Sequence, residues 1–180
     1  MNDEDVIERV LAGDIDCFGG LVEKYQTKVV GMIYNMTRDF HLSEDLCQDV
    51  FMDAYRGLGG FDSARSRFST WLYRITQNKA INAIRKRREV NLAEVPEPAV
   101  DDTVFQAAAA DELHAEFDRV LAGLPVRQRA AFIWSEIEQL SYKEIAQIEG
   151  VSLGTVKSRI NRARQFLQRA LKRRKAVTHE

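Results

Sequence analysis

One stretch near the carboxyl end of the chain carries side chains that can read the edges of DNA bases. Lysine and arginine bind guanine in the major groove, and asparagine binds adenine. Residues 151–175 hold nine basic residues and no acidic one, so they can contact phosphates as well. We predict that DNA is contacted by the outward-facing residues of one helix in this stretch: Thr155, Lys157, Ser158, Arg159, Asn161 and Arg162.

The residues around this stretch predict how the DNA-contacting helix is held. Ser141 and Glu144 are spaced as a capping box, which begins a short helix. Gly150 fits the turn that ends it, because glycine adopts a left-handed conformation without strain. Ser152 is predicted to cap a second helix, whose apolar residues recur at helical spacing: Val156, Ile160, Ala163, Leu167 and Leu171. This pattern predicts a helix-turn-helix, whose second helix enters the major groove; the alternative is a basic solvated helix in a bundle.

A second group of polar and aromatic residues recurs along a helix predicted from Thr70 to about Arg88. At ~100° per residue, one narrow strip beside its apolar face holds an aromatic residue, two amides and two arginines: Trp71, Arg74, Asn78, Asn82 and Arg85. Such a strip can stack unpaired bases and bind their phosphates. The basic residues 85–88 and the Arg65-Ser66-Arg67 loop favour this interpretation, although a lone tryptophan is more typical of a core.

The preceding helix carries an acidic face. Ser43 is predicted to cap this helix and Gly57 to end it, with Asp45, Asp49 and Asp53 on its polar side. Negative charge repels DNA, so this face is predicted either to dock a protein or to be merely solvated. The residues alone leave both alternatives open.

Helical periodicity extends through the rest of the chain. Apolar stripes at residues 6–11 and, after a predicted cap at Asp16, at residues 18–36 predict two further helices, and no stretch alternates for long enough to predict a strand. Residues 93–110 hold Pro96, Pro98, four acids and no base, which predicts a linker. The sequence therefore predicts an all-α protein of two small helical domains, residues 1–92 and 111–180, joined by an acidic linker.

Charge along the chain points to two contacts with a polyanion. The net charge of −1 conceals four alternating blocks. Residues 1–62 carry −8, residues 63–92 carry +7, residues 93–110 carry −4, and residues 111–180 carry +4. Two separate basic blocks predict two cationic surfaces.

Composition disfavours several functional classes. Two cysteines, Cys17 and Cys47, provide neither a disulfide framework nor a CxxC motif, and both are predicted to be buried thiols. The three histidines are scattered, and no nucleophile–base pair or phosphate-binding glycine loop is evident, so no catalytic residue, metal or cofactor is predicted. No apolar run reaches the ~18 residues that cross a membrane, and the acidic first residues are unlike a secretory signal.

Four ordered motifs carry a family resemblance. They are DLCQDVF at residues 45–51, FSTWLYRI at 68–75, SYKEIA at 141–146 and GTVKSR at 154–159. With these motifs the chain resembles the extracytoplasmic-function (ECF) sigma factors of the sigma-70 family. Some positions depart from the family pattern. Gln139 stands where glycine is usual, Glu149 where an apolar residue is common, and Ile133-Trp134 where two leucines are usual, while Cys47 lies where the family varies.

The resemblance implies a non-enzymatic promoter-specificity subunit of the cytoplasm, with no stable membrane insertion. Residues 1–92 resemble the sigma-2 domain and the domain after the linker resembles sigma-4. The linker is similar to a segment threaded through the RNA exit region. The implied partners are promoter DNA, an anti-sigma factor, and core RNA polymerase through its β′ clamp helices and β flap.

The resemblance also implies roles for individual residues. The predicted helix-turn-helix is implied to read the minus-thirty-five element. The clamp helices are implied to bind four residues of the acidic helix: Asp45, Gln48, Asp49 and Asp53. The minus-ten element is implied to be opened and read by a loop and the helix after it: Arg65, Phe68, Ser69, Trp71, Arg74, Asn78, Asn82 and Arg85.

Two alternatives to this interpretation make different predictions. A helix-turn-helix repressor or activator with an effector-binding first domain would bind duplex DNA specifically on its own. An enzyme with a DNA-binding tail would have a polar pocket within residues 1–92, where the sequence offers no convergent catalytic set.

Overall fold

The computed structural model describes residues 2–93 and 117–177, and every regular element in these ranges is helical. In chain order the helices are α1 (Asp3–Leu11), α2 (Phe18–Thr37), α3 (Phe40–Gly57), α4 (Phe68–Ala93), α5 (described over residues 117–122), α6 (Val126–Phe132), α7 (Tyr142–Glu149) and α8 (Leu153–Val177). Short 3-10 turns lie at Ile15–Cys17 and Leu58–Gly60. Among the helices described, none is both long and apolar enough to cross a membrane. The prediction of an all-α fold is confirmed.

The first half of the molecule is built around α2, which packs on both α3 and α4. Its inward stripe has helical spacing and is fully enclosed at Val29, Met32, Ile33 and Met36. Apolar residues of the neighbouring helices complete this core: Val50, Phe51, Ala54, Phe68, Leu72, Ala80 and Ile81. The packing fixes the polar faces of α3 and α4 side by side on the molecular surface.

Two helix starts differ from those predicted. Asp39, not Ser43, caps α3, because its carboxylate accepts a hydrogen bond from the Leu42 amide at 2.9 Å. Ser43 lies inside the helix, where its buried hydroxyl donates to the Asp39 carbonyl at 2.5 Å and so needs no capping role. Asp16 is not a cap either, since it lies in the 3-10 turn Ile15–Cys17 that leads directly into α2.

The helix-turn-helix forms as the sequence predicts. The Ser141 side chain accepts from the Glu144 amide, and the Glu144 carboxylate accepts from the Ser141 amide, which completes the capping box. Gly150 is left-handed, with φ 64° and ψ 38°. The hydroxyl of Ser152 accepts from the Thr155 amide at 3.2 Å at the start of α8. The inward stripe of α8 is buried as predicted at Val156, Ile160, Ala163 and Leu167.

A π-helical turn, Ile133–Ile137, extends α6. The Glu138 amide donates to the Ile133 carbonyl five residues earlier, at 2.9 Å. Trp134 is completely buried within this turn, and its indole nitrogen has no hydrogen-bond partner among the described residues. Gln139 follows in a left-handed conformation with φ 55°, which the glycine expected here from the family resemblance would adopt without strain. The two departures at residues 133–134 and 139 thus lie at one irregular corner.

The two halves of the molecule are in contact. Helix α4 packs against α6 and α7, and α2 packs against the π-helical turn. The buried carboxylate of Glu138 lies 2.5 Å from the Lys28 ammonium and accepts from the Asn35 side chain at 2.8 Å. Arg38 and Asp118 form a second ion pair across the halves at 2.6 Å. The predicted linker lies outside the described residues except for Ala93, which is the last residue of α4.

Candidate nucleic-acid interface

The outward face of α8 presents most of the residues predicted to read DNA. Lys157, Ser158, Asn161 and Arg162 are exposed, and none of their side chains has a hydrogen bond or ion pair within the described part of the chain. The stripe on the opposite side of α8 is buried, so the helix cannot rotate these side chains away from solvent. A face of this kind has free donors for guanine and adenine edges.

Two of the six predicted residues are already engaged. Thr155 lies at the first turn of α8, where its hydroxyl and that of Ser152 are 3.0 Å apart. Arg159 is half-buried and donates to the carboxylate of Glu149, the last residue of α7. The sequence did not predict this ion pair, because the two residues are ten positions apart and lie on different helices.

The strip on α4 opens onto a groove shared with α3. The groove has a volume of about 490 Å³ and brings together Trp71, Asn78 and Asn82, three of the five residues of the strip. Asp53 and Gly57 of α3 form its opposite side. Amide donors and acceptors beside an indole edge can hold an unstacked base by hydrogen bonds and ring contact.

The remaining residues of the α4 strip and the preceding loop lie outside this groove. Arg74 and Arg85 are exposed on α4, where they can contact phosphates. Ser69 is half-buried in the first turn of α4. Arg65 is exposed and lines a different groove of about 410 Å³, between its loop and the first turn of α7. The structure therefore does not bring the loop and the strip together in one pocket.

Phe68 is a core residue in this structure. Its ring is 2% exposed and lies 5.7 Å from the Tyr25 and Trp71 rings and 5.8 Å from the Phe61 ring, between centroids. Phe68 therefore does not present a surface to DNA here; it supports Trp71. Trp71 itself is partly exposed and also packs against Phe61, with ring centroids 5.4 Å apart. The Trp71 indole is thus partly a core side chain and partly an exposed surface on which a base can stack, so both interpretations of it hold in part.

The predicted docking residues lie along the outer face of α3. Asp45, Gln48 and Asp49 are exposed, and Asp53 is half-buried. Gln48 also borders an apolar groove of about 500 Å³, whose walls are formed by residues of α2 and α3: Phe18, Val22, Phe51, Met52 and Tyr55.

Lys79 is a residue of this region that sequence reasoning missed. Its ammonium lies 2.8 Å from the Asp53 carboxylate and 3.7 Å from that of Asp49, so it links the acidic face of α3 to the strip on α4. The hydrogen bond with Asp53 raises the pKa of Lys79. Its position next to Asn78 was the available signal, but only the packing of α3 on α4 shows which acids it meets.

Comparison with known proteins gives the family. Residues 21–90 match the family described as Sigma-70 region 2, and residues 114–167 match Sigma-70, region 4. The chain is also 37% identical over 181 residues to the RNA polymerase sigma-H factor of Pseudomonas aeruginosa, covering 94% of this chain and 93% of that protein. The chain belongs to the ECF branch of the sigma-70 family.

Further similarities agree with this family. The ECF RNA polymerase sigma factor SigW of Bacillus subtilis is 33% identical over 178 residues, which cover 92% of this chain and 95% of that protein. A crystal structure of the sigma factor RpoE from Bartonella quintana, in complex with the anti-sigma factor NepR, is 28% identical with a TM-score of 0.66. It covers 86% of this chain and 96% of the other. Sigma factors are non-enzymatic initiation factors, so the prediction that this chain is not an enzyme is confirmed by its family.

Proposed function

We propose that this ECF sigma factor directs core RNA polymerase to promoters with two separated elements, each read by a different half of the chain. The observation that carries this proposal is the presence of two distinct candidate DNA surfaces. One is the exposed face of α8 within the region-4 match, and the other is the Trp71–Asn78–Asn82 groove within the region-2 match.

The face of α8 is proposed to read the minus-thirty-five element. Lys157, Asn161 and Arg162 contact base edges, because they are exposed, unpaired within the described residues and near the start of a helix that a helix-turn-helix places in the major groove. Ser158 contributes a further polar contact, and Arg159 binds a phosphate. This surface binds duplex DNA.

The groove between α3 and α4 is proposed to hold an unpaired base of the minus-ten element. A duplex cannot present the face of a base to a recessed indole and two amides, whereas a flipped base can. Arg74 and Arg85 bind the neighbouring phosphates, and the loop carrying Arg65 stabilises the displaced strand. Phe68 acts through Trp71, which it supports from below.

The acidic face of α3 is proposed to bind the β′ clamp helices of the polymerase. Its carboxylates are aligned on one side of the helix and repel DNA, so a basic protein surface is the chemically matched partner. The neighbouring apolar groove beside Gln48 supplies contact area that charges alone lack. The second half is proposed to contact the β flap.

The relatives support proposals for the regulation and the location of the protein. The Bartonella quintana relative is seen with an anti-sigma factor, and we propose that this chain has an anti-sigma factor too. It acts in the cytoplasm, where polymerase and promoter meet. We propose residues 1–92 and 111–180 as its functional halves, with the linker of residues 93–110 between them.

Run-off transcription tests this proposal directly. Core polymerase, with and without the chain, is given a library of randomised promoter sequences, and the transcribed templates are sequenced. We expect chain-dependent transcripts from templates that share two short motifs at a fixed spacing. The proposal fails if no transcript depends on the chain. It fails equally if the chain alone binds the selected duplexes as tightly as it does with polymerase, which is the behaviour of a repressor.

A further inference from the structure

Glu149 is an anion in a position that disfavours one. It is the last residue of α7, and its side chain is 0% exposed. The negative end of the helix dipole lies at this helix end, so a carboxylate here is not favoured by the helix. Burial raises the pKa of Glu149 even though the Arg159 guanidinium lies against it.

The Glu149 carboxylate joins the two halves of the molecule at the contact of α4 with α7. One oxygen binds the Arg159 guanidinium on α8, and the other accepts from the Gln77 amide on α4 at 3.3 Å. Gln77 is 1% exposed, and its own oxygen has no partner among the described residues. This buried cluster is therefore incompletely hydrogen-bonded at the Gln77 oxygen, and separation of the halves would let water reach that oxygen and hydrate the Glu149 carboxylate.

Arg159 belongs both to this buried cluster and to the proposed DNA surface, so the Glu149 carboxylate and a DNA phosphate would compete for it. Its side chain is only 22% exposed while it is paired. A buried ion pair is hard to break, because removing one partner leaves the other charge uncompensated. A solvent-exposed pair contributes only about 0–1 kcal/mol. Separation of α7 from α4 would expose Glu149 and so convert its buried ion pair with Arg159 into a weak, solvent-exposed one.

We propose that Glu149 competes with promoter phosphate for Arg159, and that this competition couples DNA binding by α8 to separation of α7 from α4. The inference rests on the proposed phosphate contact of Arg159. In the closed arrangement seen here, Glu149 withholds one cation from the DNA surface. Once the halves separate, phosphate displaces the hydrated carboxylate. Because such coupling is reciprocal, DNA on α8 also favours the separated arrangement.

Binding of the full chain to a fluorescein-labelled duplex carrying the selected minus-thirty-five element tests the competition, with titrations at several salt concentrations. Glu149→Gln keeps the shape of the side chain and removes its charge. We expect severalfold tighter binding and a slope of log K against log salt that steepens by up to about 0.9, the value for one added phosphate contact. Arg159→Met should abolish this gain, so the double variant should bind like Arg159→Met alone.

Glu136→Gln is the matched control. Glu136 pairs with Arg164, another arginine of α8, at 2.7 Å, so this variant makes the same change in net charge without touching Arg159. An equal gain from Glu136→Gln, or unchanged binding by natively folded Glu149→Gln, overturns the inference. A different result would show that the proposed phosphate contact of Arg159 is itself wrong. If Arg159→Met has no effect even in the Glu149→Gln background, Arg159 does not contact phosphate and the inference falls with it.

Coupling to separation of the halves is tested by Glu138→Gln. Glu138 binds Lys28 and Asn35 of the first half, and no hydrogen bond or ion pair among the described residues joins it to Arg159. Its neutral variant therefore weakens the contact between the halves without changing the Glu149–Arg159 pair. We expect tighter DNA binding that disappears when Arg159→Met is added. If Glu138→Gln leaves affinity unchanged, or tightens binding equally without Arg159, separation of the halves does not act through the Glu149–Arg159 pair.

Discussion

Reversing the charge of Asp45 gives a clean test of the polymerase-binding face of α3. Asp45 is exposed, and no described residue forms an ion pair with it, whereas Asp53 is paired with Lys79 at 2.8 Å and Asp49 lies 3.7 Å from the same ammonium. From the sequence, reversal of Asp49 together with Asp53 would be expected to leave the fold intact, since both lie on the polar side of α3. The structure shows that this double change would also place two cations beside Lys79.

The single substitutions Asp45→Lys and Asp53→Lys should differ in their effect on the stability of the fold. Asp45→Lys breaks no side-chain hydrogen bond or ion pair in the described part of the chain, so its free energy of unfolding should stay within about 0.5 kcal/mol of the parent value. Asp53→Lys loses a partly exposed ion pair and adds repulsion from Lys79, which together cost about 1 kcal/mol. For a domain of about 60–100 residues, that corresponds to a Tm lower by roughly 4–8 °C.

Both substitutions should weaken polymerase binding, because like charges brought together at an interface cost several kcal/mol. We expect Kd for core enzyme to rise at least about tenfold for Asp45→Lys, which corresponds to 1.4 kcal/mol. The assay titrates core polymerase into the labelled chain and follows anisotropy, with differential scanning calorimetry on the same samples. Glu4→Lys on α1, also exposed, controls for net charge. Parent-like affinity of Asp45→Lys, or an equal loss in Glu4→Lys, would refute the reasoning.

Three further outcomes are expected. Lys157→Ala and Arg162→Ala should each lose about 1–3 kcal/mol of discrimination between the matched and the scrambled minus-thirty-five duplex. Lys172→Ala should instead weaken binding to both duplexes alike. Equal effects of all three variants in competition binding would mean that α8 holds DNA without reading its sequence. Asn78→Ala should reduce the permanganate reactivity of the minus-ten strand on duplex promoters. On pre-melted templates the reactivity should recover, while the altered base preference should persist. Wild-type opening together with wild-type base preference would mean that Asn78 does not act in the groove. Burial raises the pKa of the Cys47 thiol to about 11, so its thiolate is scarce at pH 8, and iodoacetamide should label it in the folded chain far more slowly than after unfolding, as mass spectrometry of the labelled peptide would show.

Features set by local sequence were the ones that could be predicted. The capping box at Ser141, the left-handed Gly150 and the buried stripe of α8 each depend on residues within a few positions of one another. Their predicted geometry is confirmed. The exposure of Lys157 and Arg162 follows from the same helical spacing, because burying one stripe of a helix necessarily turns the opposite side outward.

The start of α3 shows that a local signal can also mislead. Ser43 has the right residue type for a cap, but Asp39 reaches the free amide and the serine hydroxyl is satisfied within the helix.

Features that depend on packing between distant helices could not be predicted. The helical period places Phe68 near the α4 strip, yet it cannot show that three other rings enclose it. Lys79 and Glu149 gain their significance from acids, amides and guanidinium groups on other helices, which no spacing along the chain reveals.

The π-helical turn has a consequence for how the chain tolerates changes in length. A turn closed by a bond between residues five apart contains one residue more than an α-helical turn, so Ile133–Ile137 is equivalent to a single-residue insertion into α6. Deleting one residue there would restore the α-helical bonding pattern and leave the residues beyond the turn close to their present directions, because the wider turn absorbs the extra residue. Glu138 would then keep its approach to Lys28 and Asn35, whereas deleting one residue from a regular α-helical turn would rotate everything beyond it by ~100° about the helix axis. Residues 133–137 are therefore the place in α6 where the contact between the two halves can tolerate the loss of one residue.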